Sequence, residues 1–146
     1  VSLALELEPG LRVMASDSEL RIVLLNLIQN AFHAMPDGGG LTVKSRRVSP
    51  MVEIAVSDTG IGIEPERRAR IFDPFYTTKP SKVHSGLGLA VVDGLLQTTG
   101  GRIRVDSKPG QGTTFTLDLP AAEKVGGRLN VPSPEAHEAI ENIGKV

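Results

Sequence analysis

The 146-residue sequence contains no cysteine, which excludes disulfide scaffolds, thiol catalysis and Cys-ligated zinc. It lacks an excess of either charge. Sixteen Lys and Arg face seventeen Asp and Glu, for a net charge of -1 and a pI near 6.3. A basic nucleic-acid footprint is therefore not expected. No apolar run approaches the ~18 residues of a membrane span, and no signal peptide is visible. Aromatic residues are scarce, with four Phe and one Tyr. What is present is the profile of a globular chain: 40% hydrophobic, 23% charged, with mean hydropathy -0.02. The length suits one domain, able to bury roughly 70% of its unfolded surface. The sequence runs from Val1 straight into a strand-like pattern, which reads as a piece of a longer protein.

Sixteen Gly and ten Pro punctuate the chain. Residues 1–7 alternate, with Leu3, Leu5 and Leu7 on one side, and predict a strand. After the Pro9-Gly10 turn, residues 11–15 predict a short return strand. Ser16 with Glu19 has the capping-box form and opens a helix to about Met35. Strands over 41–48 and 51–58 form a hairpin about Ser49-Pro50. A short charged helix is expected over 65–71, an irregular loop over 72–85, and a second long helix over 86–99. Strands over 102–106 and 113–119 close the domain at Pro120. Residues 121–146 read as a tail or linker, with a weak helical stretch over 134–143. The order predicts an α/β sandwich with a mixed, mainly antiparallel sheet.

On the first long helix, Leu20, Val23, Leu24, Leu27, Ala31 and Ala34 share one face. A second strip, Ile22, Leu25 and Phe32, suggests that the helix is covered on two sides. Asn26 and Asn30 lie one turn apart between the strips. Asn is a poor helix-interior residue, because it competes for backbone hydrogen bonds. The pair is either a buried amide pair bonded to backbone, or an oxygen ligand for a hard cation such as Mg²⁺ together with a phosphate contact. His33 reads as a partly exposed polar residue.

Asp58-Thr59-Gly60-Ile61-Gly62 falls at a strand end. Asp58 there suits an exocyclic amine, and Gly60 and Gly62 let backbone approach a flat ring closely. The same pattern also suits a plain tight turn. Gly86-Leu87-Gly88 opens a helix, where free amides and the dipole favour anions, or where the chain simply starts flexibly. Three of the five aromatics, Phe72, Phe75 and Tyr76, crowd into five residues. A mobile lid with an apolar docking patch accounts for that better than core placement. Thr77, Thr78, Lys79, Lys82 and Ser85 add donors for phosphate, or simply a solvated loop. Arg67, Arg68 and Arg70 read as a solvated helix face.

Taken together, these segments resemble the catalytic ATP-binding domain of bacterial sensor histidine kinases, within the GHKL superfamily. Residues 26–31 (Asn-Leu-Ile-Gln-Asn-Ala) resemble the N box, and residues 58–62 the G1 box. Residues 72–79 (Phe-Asp-Pro-Phe-Tyr-Thr-Thr-Lys) resemble the F box and are similar to kinases of the nitrogen-regulation type. Residues 86–90 resemble the G2 box, and residues 112–115 the last glycine box. Five motifs in order over about residues 1–120 are highly specific. The resemblance implies a Bergerat fold, a two-layer α/β sandwich whose sheet is covered by about three helices on one face.

It further implies binding of Mg-ATP under a lid. Asn30 becomes the Mg²⁺ ligand and Asn26 a helper near the phosphates. Asp58 becomes the adenine-recognising carboxylate. Gly60 and Gly62 shape the base pocket, with Thr113 beside it. Gly86, Leu87 and Gly88 form the phosphate end, and Thr78 and Lys79 the lid contacts. His33 takes a position near phosphate. One departure is His84, where many relatives have glycine. The related ATPases carry a Glu where this chain has Asn26, so weak intrinsic hydrolysis is expected. The resemblance implies transfer to a histidine on an upstream dimerisation domain, since His33, His84 and His137 lack the acceptor context. It also implies a response regulator as partner, a monomeric fragment of a homodimeric parent, and cytoplasmic placement without membrane contact. The alternatives are a degenerate nucleotide-binding regulatory module, or an ATPase or serine kinase of the anti-sigma type.

Overall fold

A computed structural model describes residues 1–74, 76 and 88–122. Eight elements follow in chain order: β1 (Ser2–Leu7), α1 (Asp17–Ala34), β2 (Gly40–Val48), β3 (Met51–Asp58), α2 (Pro65–Arg68), α3 (Gly88–Thr99), β4 (Arg102–Lys108) and β5 (Gly112–Pro120). The strands form one five-stranded sheet in the order β1-β2-β3-β5-β4. Only β1 and β2 are parallel; the other three pairings are antiparallel. This is the mixed, mainly antiparallel α/β sandwich that the strand spacing predicts.

The parallel pair follows from α1. A helix of 18 residues rises about 27 Å, enough to carry the chain back across the sheet for a parallel start. Ser16 caps it by accepting the Glu19 N–H at 3.1 Å. Such a cap satisfies one of the orphan donors of the first turn. Leu20, Val23, Leu24, Leu27 and Ala31 are buried, as their shared face predicts, and Ile28 joins them at 1% exposure.

Two expectations are corrected. The strip Ile22, Leu25 and Phe32 is covered only in part: Ile22 is 44% exposed, while Leu25 and Phe32 are half-buried and Phe32 packs against the core. In a two-layer sandwich a helix meets the sheet on one side and a neighbouring helix on its flank, and the rest meets water. Residues 11–15 do not return along β1. Val13 makes an isolated bridge to Ala121, the Met14 N–H donates to the Pro120 carbonyl at 2.8 Å, and the Ala122 N–H donates to the Arg12 carbonyl at 2.9 Å. Their backbone groups are satisfied by the end of β5, across the molecule.

The inward positions of β3 (Val52, Ile54, Val56) and of β5 (Phe115, Leu117, Leu119) form the core with α1 and with Val92 and Leu96 of α3. The opposite sheet face is polar. In register across four strands it carries Arg46, Glu53, Asp118 and Arg102. Asp118 is buried there under Arg102 and Arg104, at 2.8 and 2.7 Å. Those hydrogen bonds hold its carboxyl below the usual 3.8.

The expected helix over 65–71 is shorter. It gives way after Arg68 to successive turns, in which Asp73 N–H donates to Arg70 and Tyr76 N–H to Asp73. Pro74, which lacks an N–H to donate, ends any helical continuation. The tail helix expected over 134–143 lies outside the described residues.

Candidate functional site

The end of β3 places Asp58 on the helix-facing side of the sheet, 9% exposed. Its partner across the ladder is Thr113 on β5. Burial pushes the Asp58 carboxyl above its ordinary 3.8; the backbone N–H groups of Gly60 and Thr113 favour the anion and pull it partly back. The Gly60 N–H lies 2.8 Å from Oδ1. A carboxylate offers about four lone-pair sites, so acceptor capacity remains for an incoming donor.

Three hydroxyls and amides extend this point into a network. The Ile63 N–H donates to Ser107 Oγ at 2.8 Å; Ser107 Oγ donates to the Gly112 carbonyl at 2.9 Å and lies 2.8 Å from Thr113 Oγ1. A polar cleft of about 240 Å³ borders Asp58, Ser107 and Thr113. A second cleft of about 180 Å³ is lined by Ile61, Gly62, Ile63, Arg67, Ile71, Tyr76 and Leu89.

The glycines also answer a packing constraint within the chain. A Cβ on Gly60 would stand 2.3 Å from the Ala34 carbonyl oxygen, at the end of α1. A Cβ on Gly62, which has φ +73°, would stand 2.1 Å from the Lys108 carbonyl oxygen. Both positions let one backbone segment pass against another. The loop is then pinned by the Ile61 N–H to Ala34 and by the Gly110 N–H to Ile61, at 2.9 and 2.7 Å.

Asn26 and Asn30 line the edge of α1. The Asn26 Nδ2 donates to the Ile22 carbonyl at 3.0 Å, back along its own helix. Its Oδ1 faces Gly88, where an added Cβ would come within 3.1 Å. The first turn of α3 thus lies against Asn26. Asn30 is half-buried, and its side chain has no hydrogen-bond partner among the described residues. His33 is half-buried in the last turn of α1. Thr78, Lys79, Gly86 and Leu87 lie outside the described residues, as do Phe75 and His84.

The structure thus gathers Asp58, Gly60, Gly62 and Thr113 at one sheet end, and Asn26 with Gly88 between the helices. Phe72 and Tyr76 are half-buried against the core, and Phe75, the third ring of the expected docking patch, lies outside the described residues. Arg70 stacks 4.8 Å over the Tyr76 ring. Ser107 and the walls Ile63, Ile71 and Leu89 were not singled out from sequence. For Ser107 a signal existed: it occupies an inward position of β4, after Ile103 and Val105, where an apolar residue is expected.

The residues fit a purine nucleotide and a hard cation. Asp58 keeps acceptor capacity in a buried place on the polar cleft. Asn30 offers an oxygen, and Mg²⁺ needs few protein ligands because water and phosphate supply the rest.

Residues 15–123 match the family described as histidine kinase-, DNA gyrase B-, and HSP90-like ATPases. The sensor-like histidine kinase SenX3 of Mycobacterium tuberculosis is 43% identical over 116 residues, covering 77% of this chain and 28% of SenX3. The sensor histidine kinase ZraS of Klebsiella oxytoca is 40% identical over 122 residues, covering 82% of this chain and 26% of ZraS. Among solved structures, the mycobacterial sensor histidine kinase MprB superposes with a TM-score of 0.73 at 31% identity, covering 82% of this chain and 81% of that one. Full-length ShkA in complex with AMPPNP gives 0.75 at 32% identity, covering 87% and 27%. This chain spans 28% of SenX3 and 26% of ZraS.

Proposed function

This chain belongs to the histidine kinase-, DNA gyrase B- and HSP90-like ATPase family, on its sensor-histidine-kinase side, and from that membership we propose that it binds Mg-ATP and donates the γ-phosphate to a histidine on an upstream dimerisation domain of the same protein. Residues 1–120 act as the catalytic domain, and 121–146 as a tail or linker. The phosphorylated histidine then serves a response regulator. The parent works as a homodimer in the cytoplasm or anchored facing it. Among the described residues no helix is long and apolar enough to cross a membrane.

One observation carries the reading: a buried carboxylate, Asp58, keeps acceptor capacity where it borders a polar cleft at the end of β3. Ile63, Ile71 and Leu89 take the faces of the base, and Asp58 accepts from its exocyclic amine. Gly60 and Gly62 hold the loop that positions both. Asn26 and the start of α3, with Gly86, Leu87 and Gly88, meet the phosphates; Thr78 and Lys79 neutralise them, and His33 stands nearby. Asn30 would hold Mg²⁺, which when bound would supply charge neutralisation for the triphosphate. Catalysis here is positioning and charge neutralisation. Asn26 fits that role: an amide at neutral pH takes no proton from water, so weak intrinsic hydrolysis is expected.

Calorimetric titration with ATP, with and without Mg²⁺, tests the site. One-site binding strengthened by Mg²⁺ is expected; a folded chain that binds no ATP refutes it. Mixing with the histidine-bearing domain and [γ-³²P]ATP tests the transfer. An acid-labile label is expected on that domain, whereas an acid-stable label would indicate a serine kinase.

A further inference from the structure

The sheet ends on two edge strands, β1 and β4, and they are built differently. β4 carries charge at every exposed position: Arg102, Arg104, Asp106 and Lys108. Charge of that kind protects a free edge from pairing with another chain. The exposed positions of β1 are Ser2, Ala4 and Glu6. The one charge among them is engaged, with Lys44 Nζ 3.0 Å from the Glu6 carboxylate. Just beyond β1, the Glu8 carboxylate accepts the Arg47 N–H at 2.8 Å. The backbone direction is fixed at both ends. The Ser2 N–H donates to the Gly39 carbonyl at 2.9 Å, and the Glu8 N–H to the Ser45 carbonyl at 3.2 Å. Backbone groups alternate sides along a strand, so the even-numbered residues face β2, and Leu3, Leu5 and Leu7 turn their N–H and C=O groups to the outer edge. Among the described residues no strand pairs with that edge. The three leucine side chains lie half-buried against the core, each with a flank still open.

We propose that the outer edge of β1 takes β1 of a second copy of this chain, antiparallel, so that two sheets become one. A strand that pairs with its own copy about a two-fold axis makes a self-complementary contact. With the axis at Leu5, Leu5 faces the partner's Leu5, and Leu3 faces the partner's Leu7. Each such pair exchanges both N–H···O bonds, so every outward backbone group of β1 is satisfied. The leucines of both strands then form one apolar row on the helix side. On the opposite face Ala4 meets the partner's Glu6 and Ser2 meets the partner's Glu8, so no like charges meet. An axis at Glu6 would set Glu6 against the partner's Glu6, which is destabilising. An axis at Ala4 would leave Leu7 without a partner in β1. The strand is short, so the interface is small and the dimer transient. Neither cleft of the candidate site is lined by β1, so the pairing does not depend on the nucleotide reading. It departs from the monomeric fragment that the family resemblance implies.

Sedimentation equilibrium of the whole chain from about 10 µM to about 1 mM tests the proposal. A concentration-dependent dimer is expected. Ala4 is exposed, so substitution there spares the monomer, which melting temperature checks. Ala4→Glu sets a carboxylate against the partner's Glu6, twice per dimer, and is expected to raise the dimer Kd about tenfold. Ala4→Lys sets the opposite charge there and is expected to lower the Kd by about the same factor. General damage to the strand would not produce opposite signs. A wild type that stays monomeric over the whole range overturns the proposal. A dimer that ignores both substitutions pairs through another surface and also overturns it. A dimer weakened alike by both has another register, and that result overturns the pairing about Leu5.

Discussion

Gly62 offers the sharpest test of what the glycines after Asp58 do. Its φ is +73°, and a Cβ would lie 2.1 Å from the Lys108 carbonyl oxygen. Gly10 has nearly the same φ, +75°, with nothing within 4 Å of its Cβ position. Alanine at either site carries the left-handed backbone penalty of about 1 kcal/mol. Only at Gly62 must the β4–β5 turn also retreat, by roughly 1 Å, to reach ordinary contact. That retreat breaks two hydrogen bonds, from Gly110 N–H to Ile61 at 2.7 Å and from Ile63 N–H to Ser107 at 2.8 Å. At about 1 kcal/mol each, Gly62→Ala costs about 3 kcal/mol and Gly10→Ala about 1 kcal/mol. For a chain of this size that is roughly 10 °C against 3 °C in Tm. Urea and thermal unfolding of both variants, without nucleotide, measures the difference. Equal losses would refute the reasoning. They would mean that the close approach to Lys108 costs no stability, and that any further effect of Gly62→Ala lies in ATP affinity.

Other outcomes follow from the two buried carboxylates and from Asn30. The raised pKa of Asp58 means that the folded state binds its proton more tightly than the unfolded chain. Its burial therefore costs stability progressively as pH rises from 3.8 through the folded value. Asp58→Asn should remove that loss, so its stability relative to wild type improves as pH rises above 3.8, while ATP affinity drops about 10- to 100-fold; an unchanged pH profile counts against the burial argument. Asp118 has the opposite sign, because its pKa is lowered by Arg104 and Arg102. Its contribution is present above 3.8 and fades as pH falls through the folded value. Asp118→Asn should destabilise by about 2 kcal/mol at pH 7 with ATP affinity unchanged, since it lies on the sheet face away from the helices; denaturation and calorimetry read the two effects separately. Asn30→Ala should abolish the Mg²⁺-dependent gain in ATP affinity and spare the Mg²⁺-free affinity, and a retained gain places the metal elsewhere.

Much of the fold was legible in the sequence because its signals are local. Alternation marked the strands, the Ser16 cap and apolar periodicity marked α1, and Pro and Gly marked the ends. Asp58, Gly60 and Gly62 stood out because their order along the chain is itself the signal. What escaped were long-range facts. The pairing of residues 11–15 with the end of β5 depends on which backbone groups are left open once β2 has paired with β1. The exposure of Ile22 depends on where α3 lies. The use of Gly60 and Gly62 depends on Ala34 and Lys108, which local pattern does not connect to them. Ser107 is the clearest case. Its sequence shows only a polar residue in an apolar position; tertiary structure alone brings Ile63, Gly112 and Thr113 around one hydroxyl. Periodicity and capping act between neighbours in the chain and can be read from it. Hydrogen-bond satisfaction and close backbone packing act between neighbours in space, and only the folded chain decides those.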